Sequence, residues 1–365
     1  MINQPVYIRI KSLISGLGED IEQTFHNLEK SGSGLTTEHT EFENFGQFPF
    51  GKIQTLSNSS RFKDLLSRIT TNLILAEPNL IESESTILIV CSTKGDIEKL
   101  PNNPFENLIK DLETELSLFN KPILISNACI SGILGINLGA DLIRLGKYDN
   151  AVVIGIDILS EFVMSGFNSL FALSDQYCKP YDSERKGINL GEAGGCVILS
   201  KNKPKNGFYA LHLSGTSSND ANHISGPSRT GEGLVRTIEK TLKIAGLSSA
   251  DIDYISAHGT ATAYNDEMES IAFNRLGLEN IPMNSLKGYI GHTLGAAGVV
   301  ETIISIMQME KGVLFESKGF ESHGVSQPVN VLKSKQRKKI EYLLKTGSGF
   351  GGGNASLILK NVLAS

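Results

Sequence analysis

Two stretches of this chain follow one plan. ILISNACISGILGINLGADLIRLGKYDNAVVIG, over 123–155, and IPMNSLKGYIGHTLGAAGVVETIISIMQMEKGVLF, over 281–315, each run from an apolar strand through a short polar bend and a glycine into an apolar helix rich in small residues. A unit that occurs twice restricts the chain to folds with two equivalent halves, and points to an ancient duplication. Both helices are apolar nearly all round, the pattern of a helix buried on every side. Gly132, Gly135 and Gly139 in the first, and Gly295, Ala296, Ala297 and Gly298 in the second, would let two such helices approach closely. Cys129 and His292 then stand at neighbouring helix starts in the middle of the molecule.

Around these two units the periodicity alternates. Strands are expected over 86–92, 123–126 and 151–157, with helices over 105–118 and from Cys129 to about Leu145. A second series has strands over 194–200, 208–218, 254–257 and 282–285 and helices over 233–245, 267–276 and 294–309. Strands over 342–347 and 355–360 then flank a glycine-rich turn. Before residue 60 only a strand, VYIRI, and a helix around GEDIEQTFHNLEK are legible. The alternation predicts a layered α/β fold, divided into halves 1–205 and 206–365.

Composition narrows the function. The 365 residues are 40% hydrophobic and 20% charged, with 37 glycines, a globular balance with many close backbone approaches. A formal charge of -5 argues against holding nucleic acid by bulk electrostatics. The basic run KSKQRKK, over 333–339, reads as a solvated charge run. No basic start leads into an apolar leader, and no apolar run approaches the roughly 18 residues of a membrane span, so a cytoplasmic location is expected. Cys91, Cys129, Cys178 and Cys196 are too scattered for a zinc knuckle or a disulfide scaffold.

Cys129 therefore has to be judged by its surroundings. A thiol at a helix start meets unpaired N–H groups and the positive end of the dipole, which favour thiolate. Alone it reads equally as a small buried hydrophobe. His258, in ISAHGTATAYNDEMES, and His292, in NSLKGYIGHTLGAAG, each follow the carboxyl end of an expected strand, where open α/β sheets place their ligands. A cysteine with two imidazoles at that edge suggests covalent acyl chemistry. The other reading makes one histidine a helix cap and the other a partner for a buried carbonyl. His26, His39, His212, His223 and His323 lack comparable surroundings and read as surface or packing residues.

With these residues in place, the chain resembles the β-ketoacyl synthases of the thiolase superfamily, the elongating condensing enzymes that act on acyl carrier proteins. The blocks are NACISG around Cys129, KPYDSERKGINLGEAGG from Lys179, AHGTATAYNDEMES around His258, NSLKGYIGHTLGAAGVVE from Asn284 and GSGFGGGNASLIL from Gly347, in the family's order. The resemblance implies a five-layer α-β-α-β-α fold of two pseudo-symmetric halves. It implies that Cys129 is the nucleophile, with the backbone N–H groups of Cys129 and Phe350 as oxyanion hole, and that His258 and His292 stabilise an enolate formed by decarboxylation. Lys287 and Glu301 match a charge-balancing pair, and Asp266 a supporting carboxylate. Thr260 and Thr262 match contacts to the pantetheine arm, and Phe167 and Phe350 match apolar gates. The implied reaction joins an acyl-enzyme to malonyl-carrier in fatty acid or type II polyketide synthesis, polyenes included. No metal and no dissociable cofactor is called for, because the carrier protein brings its own phosphopantetheine. A homodimer, or a heterodimer with a related chain, is implied.

The chain also departs from the family pattern. The stretch between Cys91 and Cys129 is shorter than usual, Ser348 stands where an aromatic residue is common, and Ile130 follows the cysteine where a small residue is common. These departures imply a remodelled acyl pocket. Initiating synthases pair their Cys and His with an asparagine and thiolases use a second cysteine, so His292 and the cysteine-free GSGFGGGN block point away from both. A non-catalytic, chain-length-factor-like partner is the remaining alternative, and such partners typically lack the cysteine that this chain keeps. A simple nucleotide-binding module is set aside because no dinucleotide fingerprint opens a helix after a strand.

Overall fold

The computed structural model describes residues 4–38, 42–57, 59–223 and 226–363. Ten strands form one hydrogen-bonded sheet: β1 (Tyr7–Ser15), β2 (Thr86–Cys91), β3 (Ile123–Ile125), β4 (Asn150–Asp157), β5 (Ala193–Ser200), β6 (Ala210–Asn219), β7 (Tyr254–Ser256), β8 (Met283–Asn284), β9 (Tyr342–Gly349) and β10 (Gly353–Asn361). Their order is β8-β7-β9-β10-β6-β1-β5-β4-β2-β3.

The first five strands run in the order β3-β2-β4-β5-β1, and the last five in the corresponding order β8-β7-β9-β10-β6. Polarity repeats as well. β3, β2 and β4 are parallel, then β4–β5 and β5–β1 antiparallel. In the second set β8, β7 and β9 are parallel, then β9–β10 and β10–β6 antiparallel. The sets join through an antiparallel contact of Tyr7 and Ile8 with Leu211 and Ala210.

The helices are α1 (Ile21–Glu29), α2 (Arg61–Ala76), α3 (Pro104–Glu115), α4 (Ser131–Arg144), α5 (Glu161–Ser169), α6 (Glu232–Ala245), α7 (Ala263–Arg275), α8 (Lys287–Ile290) and α9 (Ala297–Lys311). α2 and α3 cover the outer face of the first strand set, burying Leu65, Leu66, Ile69, Leu108 and Leu112 against Leu88, Val90 and Ile154. α6 and α7 cover the second, with Leu234, Ile238, Met268 and Phe273 against Ile255, Leu344 and Ile358. Between the sets lie α4 and α9 in one central cluster. The result is the five-layer order helix, sheet, helix, sheet, helix.

The middle layer holds because the two helices cross almost backbone to backbone. A Cβ on Gly132 would lie 2.5 Å from the Val299 nitrogen, and one on Gly298 would lie 2.4 Å from the Ile133 nitrogen. Larger residues at either position would force the helices, and the strand sets outside them, apart.

The expected strands fall on observed ones within a few residues. The helix expected over 294–309 opens instead with a 3₁₀ turn, Leu294–Ala296, and becomes α-helical at Ala297, since Leu294 takes a left-handed φ of 54°. α2 and α5 lie outside the sequence expectations. The basic run is exposed and in part anchored: Arg337 donates to the Lys311 carbonyl and Lys338 to that of Asp253. Among the described residues no helix is long and apolar enough to cross a membrane.

Candidate active site

Cys129 stands on the turn between β3 and α4. Ala128 takes a left-handed φ of 44°, unfavourable for a residue with a Cβ, and this reverses the chain sharply enough to aim the next side chain inward. Ser131 secures the turn: its hydroxyl accepts from Asn127 N (2.8 Å) and donates to Ala128 O (2.7 Å). The end of β9 presses against the same point. A Cβ on Gly349 would meet Cys129 N at 3.1 Å, and the Phe350 N–H lies near enough to the sulfur to favour its ionised form.

His258 follows β7 by two residues, on a loop held by carboxylates from α7. Glu269 accepts from His258 N (2.9 Å) and Gly259 N (2.7 Å), and Asp266 from Thr260 N (2.8 Å) and Tyr181 N (2.7 Å). The Tyr181 hydroxyl adds a bond to Glu269 at 2.9 Å. Burial pushes the Asp266 carboxyl up to about 6, against the hydrogen bonds it receives. His292 lies farther from its strand than expected, because α8 intervenes, and is fixed by its backbone N–H on Asn189 O at 2.8 Å.

These pieces bring thiol and imidazoles together. His292 Nε2 is 2.9 Å from Cys129 Sγ, and the two rings meet edge to face with centroids 5.3 Å apart. His292 Nδ1 is buried without a hydrogen-bond partner among the described residues. Behind His258, Lys287 Nζ donates to the His258 carbonyl at 2.6 Å and stands 3.3 Å from Nδ1. An ammonium at Nδ1 leaves that nitrogen the acceptor, so the ring's proton sits on Nε2. Lys287 also binds Glu301 Oε1 (2.6 Å), and Lys345, from β9, takes Glu301 Oε2 (2.6 Å).

The electrostatics correct one expectation. Burial pushes the Cys129 thiol up to about 12, outweighing the field of Lys287 and the Phe350 N–H, so the resting group is a thiol and the helix start does not make it a thiolate. Burial raises Cys91, Cys178 and Cys196 too. What distinguishes Cys129 is its imidazole partner and its access to a cavity. Burial, then Lys287, holds both histidines well below the usual imidazole value, so they are neutral. Burial works against ionisation of Glu301, yet the two lysines hold its carboxyl below the ordinary value. The thiol and ring nitrogens lie within 4.8 Å of one another, and the ammonium groups behind them oppose a divalent cation there.

A cavity of about 490 Å³ opens onto Cys129, His258 and His292. Thr260 and Thr262 line it, with hydroxyls 2.8 Å apart. Phe167 and Phe350 stack at its wall with ring centroids 5.4 Å apart, and Ser348 contributes a small wall residue. Phe171, 93% exposed, and Tyr264, 80% exposed, stand at its rim. Every side chain expected at the site is thus in or directly behind this chamber. His223, expected at the surface or in packing, also lines it. His212 is buried against Asn137, and His39 lies outside the described residues. Lys345, Glu269 and Tyr181 are not indicated by the sequence.

Residues 121–205 match the β-ketoacyl synthase N-terminal domain and residues 209–321 the β-ketoacyl synthase C-terminal domain. The 3-oxoacyl-[acyl-carrier-protein] synthase 2 of Rhizobium meliloti is 36% identical over 249 residues, 64% of this chain and 59% of the relative. The synthase 2 of Vibrio cholerae is 32% identical over 257 residues, 66% of this chain and 62% of the relative. The matched region thus spans about three-fifths of these relatives' length. Among solved structures, a chain of the ketosynthase–chain length factor complex from Xenorhabdus doucetiae superposes with a TM-score of 0.86 at 26% identity, covering 98% of both chains. A β-ketoacyl synthase from Burkholderia phymatum shares the fold, with a TM-score of 0.85 at 21% identity over 97% of this chain and 99% of that one. With both domains matched in order, the strand plan repeated and a cysteine between two histidines in the chamber, this chain belongs to the β-ketoacyl synthase family of the thiolase superfamily.

Proposed function

We propose that the chain is an acyltransferase that forms carbon–carbon bonds, condensing an acyl-enzyme with malonyl-carrier to give β-ketoacyl-carrier in fatty acid or type II polyketide synthesis. The observation that carries this reading is the 2.9 Å contact between Cys129 Sγ and His292 Nε2, beside His258, in a cavity open to a substrate arm. Cys129 attacks the thioester of an acyl carrier; the thiol proton leaves through His292 and ends on the departing carrier sulfur. The N–H groups of Cys129 and Phe350 hold the tetrahedral oxyanion. When malonyl-carrier enters, the carboxylate departs as carbon dioxide and its bonding pair passes into an enolate. Nε2–H of His258 donates to the enolate oxygen, and His292 joins once its own proton is on Nε2. The carbanion attacks the acyl carbonyl, the bond to Cys129 sulfur breaks, and the thiolate takes up one proton from solvent through His292, the proton that the overall reaction consumes.

Thr260 and Thr262 would bond the pantetheine arm, and Phe167 and Phe350 would screen the acyl-enzyme from water. No metal and no cofactor beyond the carrier's own phosphopantetheine is needed. A division into halves 1–205 and 206–365 is supported by the gap between β5, which ends at Ser200, and β6, which begins at Ala210, and carrier-bound substrates suit a cytoplasmic location. Among the described residues β3 is paired on one side only, and its outer edge suits a second copy or a related chain. Incubating the chain with acyl- and malonyl-carrier tests the reading: a product two carbons longer is expected. If product appears only when a related chain is added, and depends on that chain's cysteine alone, this chain is the non-catalytic partner.

A further inference from the structure

Lys345 is buried in the middle of β9, with 1% of its surface exposed. Its ammonium lies 2.6 Å from Glu301 Oε2 and also donates to Thr346 O (2.7 Å) and Ser256 O (3.3 Å). The groups around the imidazoles come from five elements: Cys129 before α4, Lys287 on α8, Glu301 on α9, Lys345 on β9, and Asp266 and Glu269 on α7. Asp157, at the end of β4, is matched separately by Lys94 at 2.9 Å. Two ammonium groups therefore stand against the carboxylates of Glu301 and Glu269 and against Asp266, which burial raises to about 6 and which is still mostly ionised at neutral pH. Without Lys345 only Lys287 would stand against these carboxylates, and the negative excess in the dry region directly behind His258 would grow by one charge.

We propose that Lys345 is a positioning residue of the condensing site, the second cation that balances Glu301 and Glu269 so that Lys287 stays aimed at His258 Nδ1 and both imidazoles stay neutral donors. An uncompensated carboxylate favours imidazolium, which has no lone pair to take the thiol proton and pairs with the carboxylates instead of the enolate. The field of Lys345 acts on both rings in the direction that keeps them neutral. Its meaning in catalysis rests on the condensing-enzyme reading, but the charge state of the histidines can be measured without it.

The test compares wild-type protein with Lys345→Gln, which keeps a donor to Glu301 and removes the charge, Lys345→Met, which removes both, and Lys345→Arg, which keeps the charge. Histidine titration is followed by NMR on protein labelled at the imidazoles, with His258 and His292 assigned by substitution, and malonyl-carrier decarboxylation is measured against pH. In Lys345→Gln the His258 midpoint and the acidic limb of decarboxylation should move together to higher pH by about half a unit or more, roughly threefold in proton concentration. Lys345→Arg should return both toward wild type. Lowered melting temperature with an unmoved His258 midpoint in Lys345→Gln would make Lys345 structural only and overturn the proposal. If Lys345→Met does not fold, Lys345→Gln still decides. Wild-type protein that never decarboxylates malonyl-carrier would count against the condensing reading, while the NMR titration would still judge Lys345.

Discussion

At the scale of single residues the site is a neutral thiol beside two neutral imidazoles. Because burial sets the Cys129 thiol at about 12, its thiolate fraction at neutral pH is small and grows tenfold per pH unit. Alkylation of Cys129 by iodoacetamide, followed at the Cys129 peptide, is therefore expected to accelerate steadily from pH 6 to pH 9; a plateau below pH 7 would indicate a preformed thiolate–imidazolium pair. His258→Ala should reduce malonyl-carrier decarboxylation by about 10²–10³-fold, the cost of one donor to a developing oxyanion, while acylation of Cys129 persists. The chemistry-bearing residues were largely legible, because Cys129, His258, Lys287 and His292 sit among glycines and small residues that packing alone does not require. Lys345 was not. In YLLKTGSG a lysine reads as the outward position of a half-buried strand, yet β9 is covered by helices on both faces, so alternation carries no information there.

At the scale of elements, two devices hold the chamber. One is the crossing of α4 and α9, where Gly132→Ala would place a methyl 2.5 Å from the Val299 nitrogen. Overpacking of this kind should cost about 1–3 kcal/mol, seen as a lower denaturant midpoint with unchanged m. The other is the α7 clamp on the His258 loop. Glu269→Gln exchanges an acceptor oxygen for an NH₂ group facing His258 N or Gly259 N; one buried donor left unpaired should cost about 1–3 kcal/mol and lower decarboxylation more than acylation, measured side by side. The close helices were legible from their glycines. Of the clamp, Asp266 is implied only by the family resemblance and Glu269 not at all, since both occupy the buried side of a helix whose overall pattern is not amphipathic, and nothing in sequence spacing shows a carboxylate paired to backbone N–H groups. α2 does carry a legible signal, with Phe62, Leu65, Leu66, Ile69 and Leu73 at helical spacing and buried together.

For the whole molecule, duplication is the organising fact. Strand order and polarity repeat, and the two repeated helices form the shared middle layer, so nucleophile and imidazoles, far apart in sequence, meet where the halves face each other. The repeat could be read from two segments only; the strand order that makes it a repeat of folds depends on long-range pairing that no local pattern records. Among the described residues the same sheet ends at β3, which leaves that strand's outer edge unpaired. Leu124→Pro removes a backbone donor there and should dissociate a dimer built on that edge, shown by light scattering as a fall to monomer mass; an unchanged mass would place the interface elsewhere.

Peptide mass spectrometry of protein incubated with acyl-carrier is the most direct measurement. The acyl mass should appear on the peptide containing Cys129, vanish on addition of malonyl-carrier as carbon dioxide is released, and be absent from Cys129→Ala. Acyl mass confined to Cys91, Cys178 or Cys196, or an acyl-Cys129 that malonyl-carrier never discharges, would contradict the account.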